Sequence, residues 1–228
     1  CQYFIGQFDG EKFTCDDPPE TIRWLEYGKD AYATVTYPID ENLQQTKTNT
    51  HTEYIALTWM SNWQYAAAVP SIYYRSSVAI PRKISLLQLS NENNKFLATN
   101  LPIDEINSIR EKTSKTEEFT LSNSETQKEF KNMLNGGQAF EIDLEFTIDQ
   151  TSTVGIKFTN SKNEEYIIQF DPSTKTVSCD RRNSGITSFS NDFPVVTSAT
   201  IPLEKSTYKW RIFIDACSIE FFDEDGIA

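Results

Sequence analysis

The sequence predicts an all-β protein, because its apolar residues alternate with polar ones and turns follow at short intervals. In the segment EIDLEFTID, residues 141–149, one side of the predicted strand carries only apolar residues: Ile142, Leu144, Phe146 and Ile148. A period of two is typical of a strand with one face in a core. The alternation returns between polar turns at residues 154–158, 166–170, 210–214 and 219–221. Short strands at this spacing indicate a β-sandwich.

The first part of the chain is also predicted to be β, with longer connections. Residues 3–8, the turn Asp9-Gly10 and Phe13 predict a hairpin. Aromatic strands follow at residues 32–37 and 54–59, where Ile55 and Leu57 are expected to supply core packing. The long polar loop between them, residues 38–52, is of a kind that often borders a binding site.

A short helix is predicted over residues 103–110, since Asp104 and Glu105 suit its first turn. We place the domain boundary in this neighbourhood, at residues 88–115.

Composition excludes several classes of function. The net charge of −12 disfavours binding to nucleic acid and to anionic lipid, which need clustered Lys and Arg. No apolar run approaches the roughly 20 residues of a membrane span, so no membrane partner is expected.

Metal and cofactor sites are not predicted either. The four cysteines fit neither a metal-binding CxxC pattern nor a dense disulfide framework. Cys1 and Cys15 flank the first hairpin and could pair, but idle thiols fit equally well, and we expect no disulfide. The one histidine, His51, is interpreted as a solvated loop residue.

The segment WMSNWQYAAAVPSIYYRSSVAIPRK, residues 59–83, is the richest in candidate binding residues. Sugar sites combine indole faces, which cover the C–H side of a ring, with directional hydrogen bonds from amides and phenols. Trp59, Asn62 and Trp63 offer this mixture at the end of a strand. The alternative is that the large aromatics form the core of a barrel or propeller, and spacing alone leaves both open.

Several segments resemble family 32 glycoside hydrolases. They are WMSNWQYA with the later RSS and IPRK, then QYFIGQFDG, EYGKDAYATVT, CDRRNSG and RIFIDACSIEFFDEDG. The resemblance implies the end of a five-bladed β-propeller at residues 1–88, a linker with a short helix at 89–115, and a C-terminal β-sandwich, incomplete at its end, at 116–228. It also implies a secreted or cell-wall-associated protein.

The resemblance further implies retaining hydrolysis of terminal β-fructosides, in sucrose or fructans, by two carboxylates with a third holding the sugar. The family's WMNDPNG, RDP and Glu-Cys motifs would all lie upstream of Cys1, so no catalytic residue is expected in this chain. Cys1 is not the cysteine of the Glu-Cys motif, because QYFIG follows it. The acidic runs Asp16-Asp17 and Asp223-Glu224-Asp225 are interpreted as solvated turns.

Asp30 is a further candidate, since the family places the segment resembling EYGKDAYA near the sugar pocket. It would accept a hydrogen bond from a sugar hydroxyl, or, in the alternative, from nearby backbone. Two other functions compete with the enzyme: a binding module that holds carbohydrate without cleaving it, and a sandwich that serves as an assembly surface in a homo-oligomer.

Overall fold

A computed structural model describes residues 1–39, 54–89, 95–122, 126–130, 139–149 and 151–228. His51 and most of the loop 38–52 lie outside these residues. The strands are β1 (Gly6–Phe8), β2 (Phe13–Cys15), β3 (Tyr32–Pro38), β4 (Tyr54–Met60), β5 (Ser77–Val78), β6 (Arg82–Gln88), β7 (Phe96–Pro102), β8 (Phe140–Thr147), β9 (Val154–Thr159), β10 (Glu165–Asp171), β11 (Thr176–Asn183), β12 (Val196–Thr200), β13 (Thr207–Ile214) and β14 (Ile219–Asp223). The prediction of an all-β chain is confirmed.

The N-terminal half contains a hairpin and one larger sheet. Strands β1 and β2 pair antiparallel around the Asp9-Gly10 turn, where Oδ1 of Asp9 accepts the backbone N–H of Glu11 and Lys12. Gly10 has φ of 106°, a backbone conformation that favours glycine. The larger sheet has the order β3-β4-β6-β7, with β5 paired to β4, and we refer to it as the N-terminal sheet.

The buried face of β4 is the reverse of the predicted one. Ala56 and Thr58 are buried, whereas Ile55 and Leu57 are only partly buried and share their face with Trp59. The reason is polar packing: the Thr58 hydroxyl donates to Glu26 at 2.9 Å and lies 3.0 Å from the Thr34 hydroxyl. Within the described residues Ile55 and Leu57 are thus only partly packed, contrary to the expectation that they fill the core.

A short helix follows β7, as predicted, and it is a 3₁₀ helix over Asp104–Ile109. Asp104 and Glu105 occupy its first turn, and it buries none of its residues. Helix and connection together lead from the N-terminal sheet to β8.

The C-terminal half consists of two antiparallel sheets, with the orders β12-β11-β10-β9 and β14-β13-β8, which we refer to as the C-terminal sheet pair. Both sheets contribute to one core, formed by Ile168, Phe170, Val177, Ala199, Ile201, Tyr208, Trp210 and Ile212. The alternating residues Ile142, Leu144 and Phe146 of β8 pack against it, as predicted. Each sheet has open edges within the described residues, so neither closes on itself.

Candidate functional site

The indoles of Trp59 and Trp63 form the centre of an exposed aromatic cluster. Their ring centroids lie 4.9 Å apart, with the ring planes inclined at 52°. Tyr32 of β3 is the direct cross-strand partner of Trp59 and meets it edge-on at 6.2 Å. Trp63 is 73% exposed, so its indole is available to a ligand and is not part of the core. Trp59, for which core and pocket were both open, is only partly buried and belongs to this cluster.

A tight turn after β4 carries Trp63, and Asn62 organises that turn. The Asn62 carbonyl accepts the backbone N–H of Tyr65 at 3.1 Å and of Ala66 at 2.8 Å. Its side-chain Oδ1 accepts the N–H of Gln64 at 2.9 Å, while Nδ2 donates to the Lys29 carbonyl at 2.9 Å. Both ends of the Asn62 amide thus make hydrogen bonds within the protein, and they tie the turn to residue 29.

Asp30 lies in a closed network of side chains. One carboxylate oxygen accepts the hydroxyl of Tyr65 and the other accepts Nη1 of Arg181, which comes from β11. Arg181 Nη2 also donates to the Tyr65 oxygen at 2.6 Å, which closes a triangle of three groups. Sequence reasoning offered backbone donors or a sugar hydroxyl as partners of Asp30, and the expected backbone partners are replaced here by Tyr65 and Arg181.

Burial determines the protonation state of the Tyr65 hydroxyl. Tyr65 is buried, and burial raises the pKa of its phenol, with the Asp30 carboxylate adding to the rise and Arg181 opposing it. The phenol therefore stays protonated and donates to Asp30 across the neutral pH range.

A second group of buried charged side chains surrounds Arg82 of the N-terminal sheet. Arg82 of β6 forms ion pairs with Glu26 and, at 2.9 Å, with Glu220 of β14. The side chains of Glu26 and Arg82 are 4% and 9% exposed. Glu220 also accepts the backbone N–H of Ile80 at 3.1 Å, so one carboxylate ties β14 to the chain entering β6.

Most of the acidic runs is engaged in structure, so their interpretation as solvated turns is wrong for Asp17 and for residues 223–225, whereas Asp16 is exposed as predicted. Asp223 is buried and its carboxylate accepts the backbone N–H of Asp225, Ile227 and Ala228. Glu224 and Asp225 both pair with Lys205, and Asp17 pairs with Arg23. Burial raises the pKa of Asp223 in spite of the three N–H donors. A sequence run shows the charges but not the donors that the fold brings to them.

In the part of the chain that the structure describes, the remaining candidate groups form no catalytic constellation. All four cysteines are free thiols, and burial raises the pKa of Cys179 to about 11. Among the described residues, no three His, Cys, Asp or Glu side chains are grouped so as to hold a metal ion. The described helix is too short and too polar to traverse a lipid bilayer.

A cleft of about 850 Å³ lies away from the aromatic cluster, between the N-terminal sheet and β8 and β13. Its lining includes Lys83, Asp104, Lys209 and Arg211, and none of Trp59, Asn62, Trp63 and Asp30. The cleft contains the ion pairs Lys209–Glu145 and Arg211–Asp143 and none of the predicted sugar-binding residues. We therefore assign the candidate site to the aromatic cluster, where the Trp63 indole is exposed on an ordered turn.

Comparison with known proteins gives the family. Residues 1–99 match the N-terminal domain of glycosyl hydrolases family 32, and residues 105–228 match the C-terminal part of the same family. The chain belongs to glycoside hydrolase family 32. The resemblance seen in WMSNWQYA and its companion segments is thereby confirmed.

Two curated family 32 relatives align along nearly the whole chain. A levanase of Bacillus subtilis (strain 168) is 33% identical over 231 residues, which cover 99% of this chain and 32% of the levanase. An extracellular exo-inulinase of Aspergillus niger is 32% identical over 234 residues, 99% of this chain and 41% of that protein. The chain thus spans less than half the length of these relatives.

Solved structures of family 32 agree with the fold. An exo-inulinase from Aspergillus awamori superimposes with a TM-score of 0.76 at 27% identity, covering 99% of this chain and 42% of that one. A β-fructofuranosidase from Schwanniomyces occidentalis, complexed with fructosyl-erythritol, gives 0.74 at 25% identity, covering 100% and 45%.

Sequence reasoning missed Tyr65, Arg181 and Glu220. Tyr65 falls inside the segment WMSNWQYA, and its position three residues after Asn62 in a turn was a usable signal. Arg181 falls inside CDRRNSG, where two adjacent arginines gave no indication of which one is buried. Only the fold distinguishes Arg181, which contacts Asp30, from Arg182, which pairs with its neighbour Asp180.

Proposed function

We propose that this chain is the C-terminal part of a retaining β-fructosidase, which hydrolyses terminal β-D-fructofuranosides of sucrose or fructans. The observation that carries the proposal is alignment over 99% of the chain with a levanase and an exo-inulinase, each above 30% identity. In retaining hydrolysis one carboxylate attacks the anomeric carbon, and a second acts first as acid and then as base. We assign both to sequence upstream of Cys1.

The contribution of this chain to the reaction is a wall of the sugar pocket. The exposed indole of Trp63, with Trp59 and Tyr32 beside it, offers apolar faces to the C–H side of a fructose ring or of the next sugar. Asn62 and Asp30 act on the site by holding the turn that presents Trp63. An indole fixed in this way binds sugar without the cost of ordering a mobile side chain.

The proposed architecture places residues 1–88 at the end of a five-bladed propeller, 89–115 in a linker and 116–228 in a sandwich. The shared core of the C-terminal sheet pair supports the sandwich. Val35 and Tyr37 support the propeller: both are cross-strand neighbours of the partly buried face of β4, and both are 52% exposed. An apolar sheet face of this kind is what a neighbouring propeller blade would cover.

The setting of the protein follows from its relatives and its charge. Several relatives are named extracellular exo-inulinases, which favours a secreted or cell-wall-associated enzyme. The net charge of −12 favours an uncharged sugar over nucleic acid or an anionic membrane as partner. Self-association through the C-terminal sheet pair is the remaining proposal about partners, and light scattering of the full-length protein tests it.

The experiment that tests the function uses the full-length protein with sucrose, inulin and levan. We expect release of fructose, seen first as the β-anomer by NMR because the mechanism retains configuration. Residues 1–228 expressed alone should release none. Binding of fructan by the full-length protein without release of fructose would favour the carbohydrate-binding module instead, and product of inverted configuration would contradict the assigned mechanism.

A further inference from the structure

Each of the three guanidinium nitrogens of Arg181 donates a hydrogen bond to a group around the candidate site. It lies on β11 with its side chain 13% exposed. Nε donates to the Phe193 carbonyl at 2.6 Å, Nη2 donates to the Tyr65 hydroxyl at 2.6 Å, and Nη1 donates to Asp30. The guanidinium also stacks on the Phe193 ring, with 4.0 Å from Cζ to the ring centroid. A planar fork with several donors suits this geometry, whereas the point charge of a lysine does not.

The partners of Arg181 lie far away in sequence and together in space. Asp30 is 151 residues from Arg181 and Tyr65 is 116 residues away. Both belong to the N-terminal half, while Arg181 belongs to the C-terminal sheet pair. The triangle is therefore a joint between the two halves, made at the level of the candidate site.

The joint fixes the turn that carries Trp63 from both sides. On one side, Asn62 is bonded to the carbonyl of Lys29, the residue before Asp30. On the other side, Tyr65 is bonded to Asp30 and Arg181. Trp63 lies between these two anchors, and both anchors lead back to the same short segment, residues 29–30.

Aromatic packing reinforces the second anchor. The Tyr65 ring meets the rings of Phe193 and Phe189 edge-on, at centroid distances of 5.4 and 6.1 Å. Phe189 and Phe193 in turn lie 4.6 Å apart. The segment after β11 thus packs against the Tyr65 ring, and Arg181 donates to the Tyr65 hydroxyl.

We propose that Arg181 is a positioning residue of the sugar site: from the C-terminal sheet pair it holds Asp30 and Tyr65, and through them the turn that presents Trp63. This inference rests on the proposed fructosidase function. It gives the C-terminal sheet pair a part in substrate recognition in addition to stability. Arg181 acts through Asp30 and Tyr65 and makes no contact with sugar itself.

The test compares Arg181→Met, Arg181→Lys and Tyr65→Phe with the wild type in the full-length protein. Methionine keeps an apolar stem but removes all donors, lysine keeps the charge opposite Asp30 without the bridge to Tyr65, and phenylalanine removes one hydroxyl only. Small displacements of a binding group cost up to about a hundred-fold in rate. We therefore expect Arg181→Met to lower kcat/KM about ten-fold to a hundred-fold, chiefly through KM, and the other two variants to lie between it and the wild type.

Two controls separate positioning from stability. Arg182→Met removes the neighbouring arginine, whose side chain is 64% exposed and pairs with Asp180. Glu220→Ala loosens a different contact between the halves, the ion pair with Arg82, in which no residue of the Trp63 turn takes part. Each variant is also measured by near-UV circular dichroism, because the close indole pair of Trp59 and Trp63 gives a band that depends on their mutual orientation. We expect that band to change in Arg181→Met and to persist in both controls.

The positioning role of Arg181 and the proposed fructosidase function can be overturned separately. A full-length wild type that cleaves none of the three substrates overturns the proposed function, while the dichroism still tests the joint. An active wild type whose Arg181→Met and Tyr65→Phe variants keep kcat/KM within about two-fold and retain the indole band overturns the positioning role. Should Arg181→Met fail to fold, Tyr65→Phe decides on the same criteria.

Discussion

Nη2 of Arg82 donates to Oε2 of Glu220 at 2.9 Å, joining residues that are 138 positions apart in the sequence. Arg82 lies at the start of β6 in the N-terminal sheet, and Glu220 lies on β14 of the C-terminal sheet pair. The Arg82 guanidinium is further covered by the Phe222 ring, with 5.1 Å from Cζ to the ring centroid. The two halves are therefore joined by a buried ion pair in addition to the network around Arg181.

Glu220→Ala should lower the free energy of unfolding by about 1–3 kcal/mol, the usual cost of losing hydrogen bonds to a charged group. The substitution leaves Arg82 with Glu26 alone and removes the acceptor of the Ile80 N–H. Denaturant unfolding of the full-length protein measures the effect. Glu145→Ala is the matched control, because the side chains of Glu145 and its partner Lys209 are 63% and 58% exposed. Equal losses of unfolding free energy in both variants would show that the buried ion pair contributes no more stability than the exposed one.

Trp210→Ala should destabilise the C-terminal sheet pair by about 3–5 kcal/mol, as large truncations in cores do. Trp210 is 2% exposed and meets Phe146 and Phe221 edge-on at 4.8 and 5.1 Å. Thermal melts measure the loss of stability. Lys209→Ala is the control, because Lys209 lies on the same strand and its side chain points to the opposite face. A melting temperature within error of the wild type would mean that the indole is not part of the core.

Glu141 should make stability sensitive to acid. Burial alone would raise the pKa of its carboxyl, but hydrogen bonds from Arg110 and Arg211 outweigh burial and lower the pKa below its ordinary value of 4.5. A carboxyl with a lowered pKa in the folded state contributes stability that is complete above pH 4.5 and is lost as the pH falls through the lowered value.

Glu141→Gln should therefore lose stability at neutral pH, by about 1 kcal/mol because Arg110 is partly exposed. The gap to the wild type should narrow as the pH is lowered below 4.5. Melting temperatures of both proteins across that range give the result. A gap that stays constant with pH would contradict the assigned ion pairs.

The fold was predictable in strands where the alternation of apolar and polar residues determines which face is buried. In β8 apolar and polar residues alternate strictly, and in β13 they alternate from Thr207 to Ile212; the structure has Leu144 and Trp210 on the predicted faces. In β4 the sequence YIALTWM is apolar or small at both parities, so alternation could not tell which face is inside. There the deciding factor was a polar contact between Thr58 and Glu26, which are 32 residues apart.

The site was predictable only in its local parts. The segment WMSNW identified Trp63 as a candidate, and the structure shows its indole exposed. Asp30 was singled out, but its partners Tyr65 and Arg181 come from distant segments that only the packed fold brings together. Sequence spacing shows which residues are neighbours along the chain, whereas these contacts join two turns of the N-terminal half to a strand of the C-terminal sheet pair.

Trp63→Ala in the full-length protein tests whether this chain supplies a wall of the sugar pocket. Trp63 is 73% exposed, so its removal should leave the melting temperature nearly unchanged. Loss of the indole face should lower kcat/KM for sucrose or fructan about ten-fold to a thousand-fold, or about 1.4–4 kcal/mol of transition-state binding. The matched control is Trp24→Ala, which removes another tryptophan, 48% exposed, outside the cluster. We expect a lowered kcat/KM in Trp63→Ala and not in Trp24→Ala. A normal kcat/KM in Trp63→Ala, or a lowered melting temperature with a normal kcat/KM of the folded fraction, would show that the indole is not part of a sugar site.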